Sequence, residues 1–111
     1  MNGVILDLDS IGPTDLDLTP LYELPVQWTV YPDCKASQVS ERISSADIVL
    51  TNKTAIRAPE MVQAKNLKFI SLFATGTDVI DLTGASKKNI VVSNAIGYGT
   101  ASVVQHVWSL I

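Results

Sequence analysis

The sequence predicts an α/β fold, an open parallel sheet of five strands with helices on both faces. Short apolar runs rich in Val, Ile and Leu alternate with segments of helical character, and the connections between them are short. The 47% share of hydrophobic residues suits parallel strands that are covered on both sides. With 111 residues, the chain has the size of one domain with a single core.

The strands are predicted from apolar runs of strand length that are rich in Val, Ile and Leu. They are residues 4–8, 26–31, 47–51, 67–73 and 90–93. Between the second and third strands, residues 37–45 carry Val39 and Ile43 four positions apart. This spacing places both side chains on one face of an amphipathic helix.

Further segments have the marks of helices. Pro59 suits the first turn of a helix that runs through residue 65. Residues 78–87 begin with an aspartate and end with two lysines, the order that the helix dipole favours. Residues 16–24 are a further candidate, which Pro20 interrupts. The final segment, residues 100–111, is apolar on most sides, so we expect it to be buried against a partner on most sides.

Composition excludes several classes of function. The net charge of −3, with scattered Lys and Arg, offers no basic surface for nucleic acid. Cys34 is the single cysteine, so we expect an incidental thiol and no disulfide framework or cysteine metal cluster. With one histidine besides, the chain cannot supply a zinc site. No apolar run approaches the roughly 18 residues of a membrane helix, and no basic leader precedes an apolar segment, which predicts a cytoplasmic protein.

Two strand-to-helix loops have the features of an anion site. The first follows the predicted fourth strand, bends at Gly76 and enters a helix, which would aim backbone N–H groups of Ala74, Thr75 and Gly76 outward. The second, after the predicted fifth strand, turns around Tyr98 between two glycines and enters a helix near Thr100. Side by side, these loops would form a crevice for a small anionic molecule.

A third loop adds polar side chains to the same edge of the sheet. Asn52 and Lys53 follow the predicted third strand, and ligands of open parallel sheets bind beyond the carboxyl ends of the strands. Lys53 would supply a cation for the anion, and Asn52 a hydrogen-bond donor that orients it. The alternative is a solvated surface loop.

The second loop also approaches the glycine fingerprint of dinucleotide-binding proteins, with Ser102 in place of the third glycine. The acidic residue about 20 positions further on, which would bind the ribose, would lie beyond Ile111. The near-match therefore carries little weight, and a structural turn explains it equally well.

Together, the phrases at residues 51–54, 74–81 and 94–106 resemble the D-isomer-specific 2-hydroxyacid dehydrogenases. They are most similar to the glycerate dehydrogenase/hydroxypyruvate reductase branch, where A-T-G-T-D and G-Y-G-T-x-S-V-x-Q-H recur. The resemblance implies a flavodoxin-like strand order, 2-1-3-4-5. It also implies that residues 1–99 are the N-terminal part of a substrate-binding domain, and that residues 100–111 begin the helix that leads to a dinucleotide-binding domain absent from this chain.

The resemblance further implies an NAD- or NADP-dependent enzyme that interconverts a small 2-oxo acid, such as hydroxypyruvate or glyoxylate, and a D-2-hydroxy acid. In that family the catalytic Arg, Glu and His follow later, so we expect this chain to be an inactive fragment that binds no cofactor alone. The parent would be a homodimer, and His106 would have no catalytic role. The implied substrate-binding residues are Asn52, Lys53, Ala74, Thr75, Gly76 and Tyr98, and Thr75 and Thr100 would also lie near the cofactor.

Two other classes of function compete with this interpretation. Asp7 and Asp9 follow an apolar strand, as in haloacid-dehalogenase-type phosphatases, where Asp7 would attack phosphorus and Asp9 would transfer a proton beside Mg²⁺. The adjacent Gly-Asp pair of that family is also imperfect here, because Thr77 lies between Gly76 and Asp78. No suitably placed lysine follows. Both acids could instead simply end the strand and cap the next segment. The third class is a non-enzymatic ligand-sensing module on the same fold.

Overall fold

A computed structural model describes residues 1–11, 19–72 and 79–94. Within these ranges, five strands form one sheet: β1 (Asn2–Ile5), β2 (Gln27–Val30), β3 (Ile48–Thr51), β4 (Phe69–Leu72) and β5 (Val91–Asn94). Neighbouring strands are parallel throughout, in the order β2-β1-β3-β4-β5. The predicted α/β class, the parallel sheet and the flavodoxin-like strand order are all confirmed.

Short helices connect the strands in the described part of the chain. They are α1 (Thr19–Tyr22), α2 (Val39–Ile43), α3 (Ala58–Gln63) and α4 (Leu82–Lys87), with 3₁₀ turns at Leu8–Ile11 and Ala36–Gln38. Helix α2 packs against α3 and α3 against α4, and all three contribute to one apolar cluster. Among the described residues, no helix is both long enough and apolar enough to cross a membrane.

The inner strands β3 and β4 are buried on both faces, as predicted, whereas β2 at the edge of the sheet is largely exposed. On the face that α2–α4 cover, Val49 and Ile70 belong to the main apolar cluster together with Ile43 and Met61 from the helices. On the opposite face, alternate residues of the same strands are also buried, at 0–1% exposure: Ile5, Ile48, Leu50 and Phe69. Burial on both sides explains why β3 and β4 are continuous apolar runs rather than alternating ones.

The predicted boundaries differ most from the structure at the end of β1 and at the start of α4. The first strand ends at Ile5 rather than residue 8, and the chain turns through Asp7 into a 3₁₀ turn. Helix α4 begins at Leu82 rather than residue 78. Ile80 pairs with Ile56 in an isolated parallel bridge, and the Asp81 carboxylate then accepts the Gly84 N–H at 3.0 Å as the N-cap of the helix.

Candidate functional site

The strand order reverses between β1 and β3. This reversal identifies one point on the carboxyl edge of the sheet as a candidate site. The chain leaves β1 for β2 on one side, whereas β3 pairs with β1 on the other side. In open α/β sheets the loops diverge at such a point and leave a crevice that commonly holds a ligand. The residues that follow β1 and β3 therefore form the candidate site.

Asp7 occupies this point with its own carboxylate. It lies two residues beyond β1 and is 4% exposed. Its Oδ1 accepts the N–H of Asn52 at 2.9 Å, and its Oδ2 accepts those of Lys53 at 2.7 Å and Thr54 at 2.9 Å. Consecutive amides directed at one anion form the concave arrangement that binds phosphates and carboxylates in many proteins. Here the anion is supplied by the protein itself.

Two threonine hydroxyls complete the network around Asp7. The Thr54 hydroxyl donates to Oδ2 at 3.0 Å, and the Thr51 hydroxyl lies 3.4 Å from Oδ1. The Thr51 hydroxyl also donates to the Thr54 carbonyl at 3.1 Å and accepts the Thr54 N–H at 3.2 Å. Because both threonines are buried, these bonds replace the water that would otherwise solvate the carboxylate.

The structure places the predicted residues Asn52 and Lys53 at this edge, as the sequence indicated. Lys53 is exposed and Asn52 is partly exposed. Their backbone amides bind Asp7, so whatever this loop offers to a ligand must come from the side chains. The other predicted residues, Ala74, Thr75, Gly76, Tyr98 and Thr100, lie outside the described residues. The chain leaves β4 at Leu72 and β5 at Asn94 on the same edge as Asp7.

The comparison with known proteins decides the family. The sequence profile of "D-isomer specific 2-hydroxyacid dehydrogenase, catalytic domain" matches residues 6–109. The chain belongs to this family. It is 38% identical to a hydroxypyruvate reductase of Blautia hydrogenotrophica, over 100% of this chain and 35% of that protein. It is 32% identical to a glycerate dehydrogenase of Methylorubrum extorquens, over 96% of this chain and 33% of that protein.

Solved structures agree with this assignment. An acyclic imino acid reductase in complex with NADPH and D-Arg superposes with a TM-score of 0.72 at 25% identity, over 98% of this chain and 35% of that one. The chain thus spans about a third of the length of the relatives that it matches.

The phosphatase alternative finds no support in this dehydrogenase-family fold. An aspartate nucleophile must be open to its substrate, but Asp7 is 4% exposed and accepts hydrogen bonds from three backbone amides of the loop after β3. Asp9 is exposed and its N–H donates to the Pro32 carbonyl at 3.0 Å. Among the described residues, no cluster of His, Cys, Asp and Glu could hold a metal ion.

Sequence reasoning missed the structural role of Asp7. A signal was present: an acid directly after a buried strand, and a Thr-x-x-Thr loop directly after another. Ser, Thr and Asp side chains commonly bond to nearby backbone in such loops. The implied strand order makes these two strands neighbours, but no local pattern shows that a side chain after one strand binds the loop amides after the other.

At the end of β2, a second polar cluster surrounds Arg42. Arg42 lies over the Tyr31 ring, 3.9 Å from its centroid, and its Nη1 donates to the Asp33 carbonyl at 2.6 Å. Burial raises the pKa of the nearby Cys34 thiol, an effect that the Arg42 charge opposes. The thiol therefore stays protonated at neutral pH, in keeping with an incidental cysteine.

A cavity of about 550 Å³ lies between β2 and α2 rather than at the strand-order reversal. Its lining is mostly polar and includes Gln27, Thr29, Gln38, Glu41 and Arg42. Neither Asn52 nor Lys53 lines this cavity. We therefore place the candidate site at the carboxyl edge. There the strand order reverses, and the motif at residues 51–54 follows β3.

Proposed function

We propose that this chain is the substrate-binding part of an enzyme that interconverts a small 2-oxo acid and the corresponding D-2-hydroxy acid. The observation that carries the proposal is the family match across residues 6–109. Relatives named hydroxypyruvate reductase and glycerate dehydrogenase favour hydroxypyruvate, or an acid of similar size, as the substrate. In this proposal, residues 1–99 belong to the substrate-binding domain and residues 100–111 begin the helix that leads out of it.

The described residues support the role of the loop after β3 in binding the acid. Lys53 is exposed at the carboxyl edge, where its ammonium group can attract the carboxylate of a 2-oxo acid. The Asn52 amide can donate a hydrogen bond that orients the bound acid. The proposal retains Ala74, Thr75 and Gly76 as the backbone donors for the same carboxylate, Tyr98 as a neighbour of the substrate, and Thr75 and Thr100 near the cofactor.

The described carboxyl edge does not fit the pyrophosphate of a dinucleotide. A pyrophosphate at the strand-order reversal needs open backbone N–H groups and no negative charge nearby. At this position the amides of residues 52–54 bind the Asp7 carboxylate. The proposal therefore assigns NAD or NADP, together with the catalytic Arg, Glu and His, to a separate dinucleotide-binding domain of the longer parent protein. The imino acid reductase that shares this fold was solved with NADPH.

The proposal also concerns the assembly and location of the parent protein. We expect a homodimer, formed through the dinucleotide-binding domain. We expect it in the cytoplasm, where the reduced nicotinamide cofactors that this reaction consumes are available. Sedimentation of the parent, which should show two copies, checks the first expectation.

An assay of the full-length parent protein tests the proposed reaction. Purified protein is given NADH or NADPH with hydroxypyruvate, glyoxylate or pyruvate, and cofactor oxidation is followed by absorbance. We expect oxidation that depends on the 2-oxo acid, and none with the 111-residue chain alone. An inactive parent that binds 2-oxo acids tightly would point to ligand sensing. Mg²⁺-dependent phosphate release that Asp7→Asn abolishes would point to the phosphatase.

A further inference from the structure

The geometry points to Asp7 as a positioning residue for the substrate, which acts through the loop after β3. This inference rests on the proposed function, because that function assigns Asn52 and Lys53 to the 2-oxo acid. The network around Asp7 holds the backbone of these two residues in place. We therefore infer that loss of the Asp7 carboxylate weakens binding of the acid, although Asp7 itself does not touch it.

The first argument is that Asp7 is itself held rigidly. The residue before it, Leu6, donates its N–H to the Leu50 carbonyl at 3.0 Å, and the residue after it, Leu8, donates to the Tyr31 carbonyl at 3.0 Å. Asp7 is therefore fixed to the ends of both flanking strands, β2 and β3. A group that orients a loop must itself be held in place, and these two hydrogen bonds hold Asp7.

The second argument concerns the loop, which depends on Asp7 for its conformation. Asn52, Lys53 and Thr54 each donate their backbone N–H to the carboxylate, at 2.7–2.9 Å. Hydrogen bonds to an ionised acceptor are stronger than neutral ones, and burial of Asp7 keeps water from competing for the amides. Without the carboxylate the Asn52 and Lys53 N–H groups would lose this acceptor, and the loop would rearrange to satisfy them.

The third argument is that the loop is also held on its far side. Ile56 donates to the Val79 carbonyl at 2.8 Å and accepts the Asp81 N–H at 3.1 Å, which ties the chain to the segment before α4. Residues 52 and 53 thus lie between two anchored points, and Lys53 is exposed to solvent. A rotation of their peptide groups would move both side chains together, and displacements of about 1 Å can lower the rate of catalysis about a hundredfold.

The test uses the full-length parent protein and the variant Asp7→Asn, which keeps the shape of the side chain. The Asn amide places an NH₂ group against the loop amides and removes the charge. We expect the KM for the 2-oxo acid to rise about tenfold, with the KM for NADH changed less than about twofold. The matched control is Asp47→Asn, at the opposite edge of the sheet, where one Asp47 oxygen accepts the Asn2 N–H. This control should leave both KM values unchanged.

A double-mutant cycle separates positioning from a general effect on the fold. If Asp7 acts through the loop, then Asn52→Ala should add little to the KM of Asp7→Asn, because the Asn52 side chain is already displaced. A further variant, Asp7→Ala, leaves a space that formate can fill, and added formate should lower the raised KM toward the original value. Full additivity in the cycle would contradict the inference.

The remaining outcomes also support or contradict the positioning role of Asp7. An unchanged KM for the acid in Asp7→Asn, with a lower unfolding temperature, would show that Asp7 only stabilises the fold. If Asp7→Asn does not fold, Thr54→Val, which keeps the carboxylate but removes one hydroxyl donor, must raise the same KM or the inference fails. A parent protein without 2-oxo acid turnover would instead refute the proposed function, and with it the role of Asp7.

Discussion

At each edge of the sheet, an aspartate carboxylate accepts one or more backbone N–H groups, but the two aspartates have different structural roles. At the amino edge, the Asp47 carboxylate accepts the Asn2 N–H at 2.8 Å, and the Asp47 N–H donates to the Asn2 carbonyl at 2.8 Å. This pair joins the start of β1 to the start of β3 and is partly exposed. At the carboxyl edge, Asp7 is buried and joins the end of β1 to a loop beyond β3.

The difference shows that burial and the number of donors decide what a carboxylate contributes. Water can replace Asp47 as the acceptor of one amide, because the site is open to solvent. Water cannot easily replace Asp7, because several donors converge on it in a buried space. The amino edge therefore needs an acid only for strand alignment, whereas the carboxyl edge needs one for the shape of the loop that we assign to the substrate.

The largest expected effect is that of Asp7→Ala. The change removes the carboxylate that accepts the Asn52 and Lys53 amides and the Thr54 hydroxyl, so we expect a loss of about 3 kcal/mol in the free energy of unfolding. Urea unfolding followed by circular dichroism measures it. A loss below about 1 kcal/mol would mean that water replaces the carboxylate, and the contrast between the two edges would not hold.

The next largest effect is expected at the amino edge, for a reason of packing rather than polarity. A Cβ atom at Gly3 would overlap the Trp28 ring and lie 2.8 Å from Val26 Cγ1. We expect Gly3→Ala to cost about 2 kcal/mol in urea unfolding, since β1 or the indole must shift. The same change in a Trp28→Leu background should cost much less. An equal cost in both backgrounds would locate the strain elsewhere.

A smaller effect is expected from Thr54→Val, which retains the side-chain volume but removes the hydroxyl that donates to Asp7 at 3.0 Å. The loss should be about 1 kcal/mol, as for one hydrogen bond to a buried acceptor. Thr54→Ser keeps the hydroxyl and serves as the control in the same unfolding measurement. A Thr54→Val variant as stable as the original chain would show that the hydrogen bond to Asp7 does not contribute to stability.

The smallest effect is expected from Asp47→Asn. The Asn carbonyl can still accept the Asn2 N–H, and the site is partly open to water, so the change should cost about 0.5 kcal/mol or less. Thermal unfolding alongside Asp7→Ala gives the direct comparison between the two edges. A loss as large as that of Asp7→Ala would show that the amino edge depends on its acid equally.

Among the predictions from local patterns, features that depend on residues close together in the sequence were predicted correctly, and features that depend on distant residues were not. β3 and β4 were predicted correctly because burial on both faces makes each a continuous apolar run. The start of α4 was misplaced because Asp78 and Asp81 are both plausible caps, and the bridge between Ile80 and Ile56 decides for the later one. That bridge joins residues that no local pattern relates.

The sequence by itself determined the α/β class, the strands and, through its motif phrases, the dehydrogenase family. Tertiary structure alone decided that Asp7 serves as the internal anion of the loop after β3. Apolar periodicity reports on each segment's own neighbours in the chain, whereas Asp7 and Lys53 are 46 residues apart and meet because β1 and β3 pair in the sheet. Once the strands pair, burial makes the carboxylate and the loop amides depend on each other.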